Sequence, residues 1–231
     1  MRSNINPEEY AAIFDMDGVI IDSNPYHKIA WKAFLDKHGI FADDSTFKNL
    51  IFGTSGENAI NTLFEEEISM ERMLEIAKEI EGNYRKTLVA NRGIREIKGL
   101  SIFLQKLRKN QIRIALATSA PKENIDLVLD NLKIRDFFEI IINRDDVKHS
   151  KPHPEIYLKT MEALQIEKSK CIVFEDSLAG VGSAVNAGIT TIGVSSSISP
   201  QELLNAGAYE IINNFHEIQV ERLFYLLRKN G

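Results

Sequence analysis

Tyr10-Ala11-Ala12-Ile13-Phe14-Asp15-Met16-Asp17-Gly18-Val19 is a short apolar run closed by two acids and a glycine. Tyr10 to Phe14 is continuously apolar, which suits a strand of a parallel sheet covered on both faces. Gly18 lets the chain turn sharply after it. Side chains two apart in an extended chain share a side, so Asp15 and Asp17 leave the carboxyl edge of the strand together. Carboxylates held close repel each other. They are tolerated best where a divalent cation neutralises them or where one keeps its proton. A solvated acidic turn is the alternative, since Asp and Gly are ordinary turn residues, and this segment alone does not choose between the two.

Nothing from Asp22 to Gly93 reads as a buried strand. Asn24 is an N-cap candidate and Pro25 suits a first helical position. Tyr26, Ile29, Ala30, Ala33 and Phe34 follow at helical spacing, and Gly39 is the stop signal. A second helix is expected from about Glu57 to Glu66, through Ile60, Leu63 and Phe64, with Glu65-Glu66-Glu67 as its solvated end. A third follows Ser69 through Leu74, Ala77, Ile80 and Leu88. Beyond this block strands alternate with helices. The expected strands are Arg113 to Thr118, Phe138 to Ile142, Lys170 to Phe174, Thr191 to Val194 and Glu210 to Ile212. Helices are expected near Ile102 to Lys109, Asn124 to Leu132, Glu155 to Leu164, Leu178 to Ala187 and Glu202 to Ala206. Such alternation predicts right-handed crossovers and a parallel sheet with helices on both faces. The fold expected is α/β: a Rossmann-like parallel-sheet core of residues 1–21 and 94–231, with an all-helical cap domain of residues 22–93 inserted after the first strand. Ligands bind such sheets at the carboxyl edge, beneath the insertion.

The 231 residues and net charge of −5 fit one large domain with a smaller companion. With no basic excess to displace counterions, nucleic acid is not an expected partner. The lone Cys171 lies in an apolar run and reads as a small buried hydrophobe. The start is polar and no apolar stretch approaches membrane-spanning length, so the expected setting is reducing and cytoplasmic, and a monomer is the default.

Three further segments end predicted strands. Thr118-Ser119 offers hydroxyls, with backbone N–H groups at a helix start, for a phosphate oxygen; a plain N-cap is the other reading. Lys151-Pro152-His153-Pro154 places a lysine in a stiff proline frame. Glu175-Asp176 brings a second acidic pair to the same edge. Gathered there, Asp15, Asp17, Glu175 and Asp176 would repel one another without a cation, and hard oxygen ligands with room for water and phosphate suit Mg²⁺.

With these four segments in this order, the chain resembles the haloacid-dehalogenase-like superfamily of phosphotransferases along essentially its whole length. Asp22-Ser23 to Trp31 and Asp176-Ser177-x-x-Gly180 are similar to its β-phosphoglucomutase and phosphatase subgroup. The resemblance implies Asp15 as the nucleophile that forms an aspartyl-phosphate and Asp17 as the general acid and then base. It implies Mg²⁺ held by Asp15, the Asp17 main-chain carbonyl and Asp176, with Glu175 beside or within that shell. Thr118, Ser119 and Lys151 would hold the transferring phosphoryl group. His27 matches a histidine found near the acid/base; a helix-surface histidine is its plain reading.

In the mutase branch a cap loop carries basic residues for the second phosphate. The corresponding stretch here is Gly53-Thr54-Ser55-Gly56-Glu57, and no Lys or Arg occurs between Asn49 and Glu71, although Lys48 and Lys122 remain possible sources of charge. Charge-assisted bonds to phosphate are the strong ones. The reading favoured is therefore a Mg²⁺-dependent phosphatase of small phosphorylated metabolites such as sugar phosphates, with a β-phosphoglucomutase as the alternative and a phospho-receiver domain as a remote one. Asp17 argues against a dehalogenase, and the absence of a loop lysine against a phosphonate hydrolase. Gly180-Val181-Gly182-Ser183-Ala184-Val185 echoes a dinucleotide fingerprint but falls inside a predicted helix. His149 and His153 are four apart, yet Pro152 argues against a helical metal pair and no third ligand is evident. Asp22-Ser23 and Arg92-Gly93 are the expected hinge of a moving cap.

Overall fold

The computed structural model of the chain describes residues 10–52, 56–64 and 68–230. Strand β1 (Ala11–Phe14) is followed by four helices: α1 (Asn24–Lys37), α2 (Asp44–Thr46, running into a π-helical turn at Phe47–Ile51), α3 (Gly56–Leu63) and α4 (Met70–Ala90). Then come α5 (Leu100–Lys109), β2 (Arg113–Ala117), α6 (Lys122–Leu132), β3 (Ile140–Ile142), α7 (Glu155–Leu164), β4 (Cys171–Glu175), α8 (Leu178–Asn186), β5 (Thr190–Val194), α9 (Pro200–Asn205), β6 (Glu210–Ile212) and α10 (Val220–Asn230). The six strands form one parallel sheet in the order β3-β2-β1-β4-β5-β6. The fold is the α/β architecture read from the sequence, with helices α1–α4 inserted between β1 and β2.

β1 lies in the middle, with Phe14 opposite both Leu116 and Phe174. That register brings the carboxyl ends of β1, β2 and β4 side by side. Alternate residues feed opposite faces. Phe14, Leu116, Phe174 and Ile192 pack with Phe103, Leu129 and Leu226, from α5, α6 and α10. Ile13, Ala115 and Val173 pack with Tyr157, Leu164 and Ala184, from α7 and α8. The inserted helices have a core of their own, in which Trp31, Phe34, Phe47, Ile60, Ile76 and Ile80 meet.

Two helical segments were not expected: α10, and residues 44–51. Asn24 is a correction. It lies in the first turn of α1 with Ser23 at the N-cap position, which makes no side-chain cap bond, and its amide is used elsewhere. Gly39, just past α1, has the left-handed φ of +69° that its stop role requires, and Ser69 caps α4 through Arg72 N. Cys171 is buried in β4, and burial pushes its thiol up to about 12, as suits an inert core cysteine. Among the described residues no helix is long and apolar enough to cross a membrane. The Glu65-Glu66-Glu67 end lies outside the described residues.

One aromatic cluster holds the sheet to its helices. Phe14 and Phe174 stack at 4.8 Å, Phe103 meets Phe174 edge-on at 5.6 Å, and Phe215 lies 5.3 Å from Phe103. Phe103→Ala is expected to lower unfolding free energy by about 3–5 kcal/mol, read as a lower urea midpoint at unchanged slope.

Candidate active site

Asp15 leaves β1 with its N–H still bonded to Phe174 O at 3.0 Å, so the sheet itself aims this side chain. Thr118 follows β2, Glu175 ends β4 and Asp176 comes directly after it. All four are buried. Two glycines let backbone approach these carboxylates. A Cβ on Gly18, whose φ is +74°, would stand 1.9 Å from Asp176 Oδ2, and one on Gly180 in α8 would stand 2.0 Å from the Glu175 carboxyl carbon. The Gly180 to Val185 run is indeed helical, and close packing accounts for its first glycine.

Lys151 is 2 % exposed. Its ammonium donates to Asp15 Oδ1 at 2.7 Å, Glu175 Oε1 at 2.6 Å and the Ala117 carbonyl at 3.2 Å. The Lys151–Pro152 peptide is cis. Tyr157 O–H donates to the same Glu175 oxygen at 2.6 Å, while the N–H of Asp176 donates to Glu175 Oε2. Both Glu175 oxygens are thus engaged. Asp176 Oδ2 accepts from Asn24 Nδ2 at 2.7 Å and Ser196 Oγ at 3.2 Å, which is where the Asn24 amide goes.

Charge is unbalanced here. Burial raises the Asp15 carboxyl to about 7 against the pull of Lys151, with Glu175 and Asp17 pushing the same way as burial. Burial, Glu175 and Asp15 raise Asp176 well above the usual carboxylate range. Burial opposes the Lys151 charge, but Asp15 and Glu175 outweigh it and hold the ammonium protonated. Oxygens of Asp15, Glu175 and Asp176 lie within 4.8 Å of one another. A hard divalent cation fits this set: the donors are carboxylate oxygens, they are buried, and their mutual repulsion is what a cation would relieve. The Asp17 side chain stands outside that triad.

Asp17 is held instead by the inserted helices. Its Oδ1 accepts from Ser23 Oγ at 2.5 Å, lies 3.2 Å from His27 Nε2 and accepts from Tyr84 O–H at 3.3 Å. The His27 and Tyr84 rings stack at 3.7 Å, so His27 is not a plain surface histidine. Burial alone would raise Asp17, but His27 and the bonds from His27, Ser23 and Tyr84 bring it below its ordinary value. The same pairing raises His27 against burial.

Asp15, Asp17, Thr118, Ser119, Asp176, Asn24 and His27 line one cavity of about 50 Å³, room for about four waters. Thr118 Oγ1 accepts from Ala120 N at 3.1 Å, which fixes the turn over β2. The inserted helices supply Trp31, Ile51, Phe52, Gly56 and Glu81 as its roof. Among the described residues lining it there is no lysine or arginine. Lys122 is turned away to Asp126, whereas Gly53, Thr54, Ser55 and the side chains of Lys48 and Glu57 lie outside the described residues. Across the gap to the sheet, Asn124 of α6 donates to Glu81 at 2.6 Å and accepts from Arg85 at 2.8 Å. Tyr84, Glu81 and Tyr157 were not expected here. Tyr84 continues the apolar face of Ala77, Ile80 and Leu88, so helical spacing reads it as core.

The chain matches the family model of haloacid dehalogenase-like hydrolases over residues 12–194. It is 33% identical over 210 residues to a phosphorylated carbohydrates phosphatase of Thermotoga maritima, spanning 87% of this chain and 93% of that protein. Its structure is similar to a β-phosphoglucomutase from Clostridium difficile, with a TM-score of 0.83 and 27% identity over 95% of this chain and 97% of that one. A HAD hydrolase of family IA, variant 3, from Entamoeba histolytica gives a TM-score of 0.84 and 32% identity over 95% and 99%. With a family match across most of its length and a carboxylate cluster at the sheet edge, the chain belongs to the haloacid dehalogenase-like hydrolases, in subfamily IA, near β-phosphoglucomutases and sugar-phosphate phosphatases.

Proposed function

We propose that this protein hydrolyses phosphate monoesters of small, uncharged polyhydroxylated carriers, sugar phosphates foremost, in the reducing cytoplasmic setting that suits a lone buried thiol. The observation that carries the reading is the roof of the cavity. Where a second phosphate would need a cation, the described lining offers Trp31, Ile51, Phe52 and the Glu81 carboxylate. A 33%-identical relative acts, by its name, on phosphorylated carbohydrates.

An Asp15 oxygen attacks phosphorus, the bond to the leaving oxygen breaks, and Asp17 gives that oxygen its proton. Asp17 then takes a proton from water, whose oxygen attacks the aspartyl-phosphate, freeing inorganic phosphate and restoring Asp15. The donors around Asp17 favour its carboxylate, the form reached on proton release and needed to activate water. Thr118 and Ser119, which line the cavity, orient the phosphoryl oxygens, and the Lys151 ammonium behind Asp15 offsets their charge. Mg²⁺, the ion this family generally uses, would be held by Asp15, Asp176 and the Asp17 carbonyl and would supply charge neutralisation at the phosphoryl group. Glu175, already bonded through both oxygens, would orient Lys151 and Asp176 from beside that shell.

Residues 22–93 act as a cap that opens for substrate, because a cavity of about 50 Å³ has no space for a sugar. Gly93 is an unsuitable probe of that hinge. Its N–H bonds Leu88 O at 2.8 Å, and a Cβ there would lie 2.4 Å from the Tyr26 ring, so substitution disturbs packing first. Asn124 is the better probe, since Asn124→Ala severs the bonds to Glu81 and Arg85. Faster hydrogen exchange along α4 and a several-fold higher KM are expected. Unchanged values would remove the closed cap from the scheme.

Free phosphate is expected from sugar phosphates in Mg²⁺, with loss of roughly 10⁴-fold or more in Asp15→Asn. Interconversion of glucose 1-phosphate and glucose 6-phosphate, primed by glucose 1,6-bisphosphate, without phosphate release would assign the mutase activity instead. Tyr84→Phe deletes one hydrogen bond to Asp17 and keeps the ring stack. A loss of about 1 kcal/mol, or some fivefold in kcat with little change in KM, is expected.

A further inference from the structure

We propose that His149, His153 and Glu155 form a binding site for a divalent transition ion of the Zn²⁺ or Ni²⁺ class on the turn that carries Lys151. The pair is not helical, in keeping with Pro152, but the turn achieves what a helix would have done. The two imidazoles lie with ring centroids 4.4 Å apart, and His149 Nδ1 is 2.8 Å from Glu155 Oε2. The third ligand that the sequence did not reveal is therefore Glu155, the first residue of α7. One ligand atom from each residue lies within 4.8 Å of the other two. Bonds of about 2.0 Å imply a tetrahedral edge of about 3.3 Å, and the exposed His149 side chain closes the difference by rotation.

The frame is built independently of any ion. Glu155 accepts from the Lys148 and His149 backbone N–H groups at 3.1 and 2.9 Å. The carboxylate is thus fixed in place before any ligand arrives. His153 sits between two prolines, and its backbone is pinned to α8: Ser183 Oγ donates to His153 O at 2.7 Å and Asn186 Nδ2 to Pro152 O at 3.1 Å. Lys159 Nζ, 3.4 Å from Glu155, is the cation that an ion would displace.

Two imidazoles and one carboxylate select a borderline ion over Mg²⁺, with solvent as the fourth ligand. The site is distinct from the Asp15, Glu175 and Asp176 cluster and does not depend on the phosphatase reading. Its two histidines stand two residues either side of Lys151, so an ion would tie 149 to 153 across it and restrain the turn.

Titration of the Mg²⁺-saturated protein with Zn²⁺, by calorimetry and by histidine NMR, tests this directly. One equivalent is expected to bind at micromolar Kd and to shift the His149 and His153 ring signals but not those of His27. Hydrogen exchange over residues 148–153 should slow. His149→Ala and His153→Ala, both at exposed positions, should keep the circular dichroism of the parent and bind Zn²⁺ at least tenfold more weakly. Parent-like affinity in both variants, or binding no tighter than millimolar in the parent, would overturn the assignment.

Discussion

The Lys151 ammonium between Asp15 and Glu175 is the interaction on which the rest of the site depends. A buried ion pair of this kind is costly to desolvate, and it survives because every donor finds an acceptor. Here the three acceptors come from the ends of β1, β2 and β4, the last through Glu175. One side chain, delivered by a proline-framed turn, thereby fixes three strand ends relative to one another. Without it, Asp15 and Glu175 would face each other across a buried gap with like charge.

A second clamp acts on Asp17 and comes from elsewhere in the chain. Ser23, His27 and Tyr84 all belong to the segment inserted after β1. The carboxylate proposed to attack phosphorus is set by the sheet, while the one proposed to move the proton is set by the insertion. The two act together only where both parts of the fold meet, with Asn124, Glu81 and Arg85 as the bridge between them.

Much of this was legible in the sequence, for physical reasons. Parallel strands buried on both faces are continuous apolar runs, so β1, β2 and β4 declared themselves, and Asp15, Thr118 and Glu175 followed as the residues at their ends. Lys151 stood out through its proline frame. What stayed hidden depended on distance or on double meaning. Tyr84 lies 67 residues from Asp17 and shares the helical spacing of its core neighbours. Asn24 reads as a cap because Asn caps helices in isolation, but tertiary contact with Asp176 claims its amide. Glu155 looks like an ordinary acidic first-turn residue until the turn folds His149 onto it. The α10 stripe of Val220, Leu223, Leu226 and Leu227 has plain helical spacing in the sequence.

Gly18 and Gly180 bring no functional group of their own, yet the carboxylates of Asp176 and Glu175 occupy the space where their side chains would begin. Transplanting this site onto another parallel sheet by copying only its acids and its lysine would therefore fail sterically. The emptiness at these two positions has to be grafted along with the chemistry.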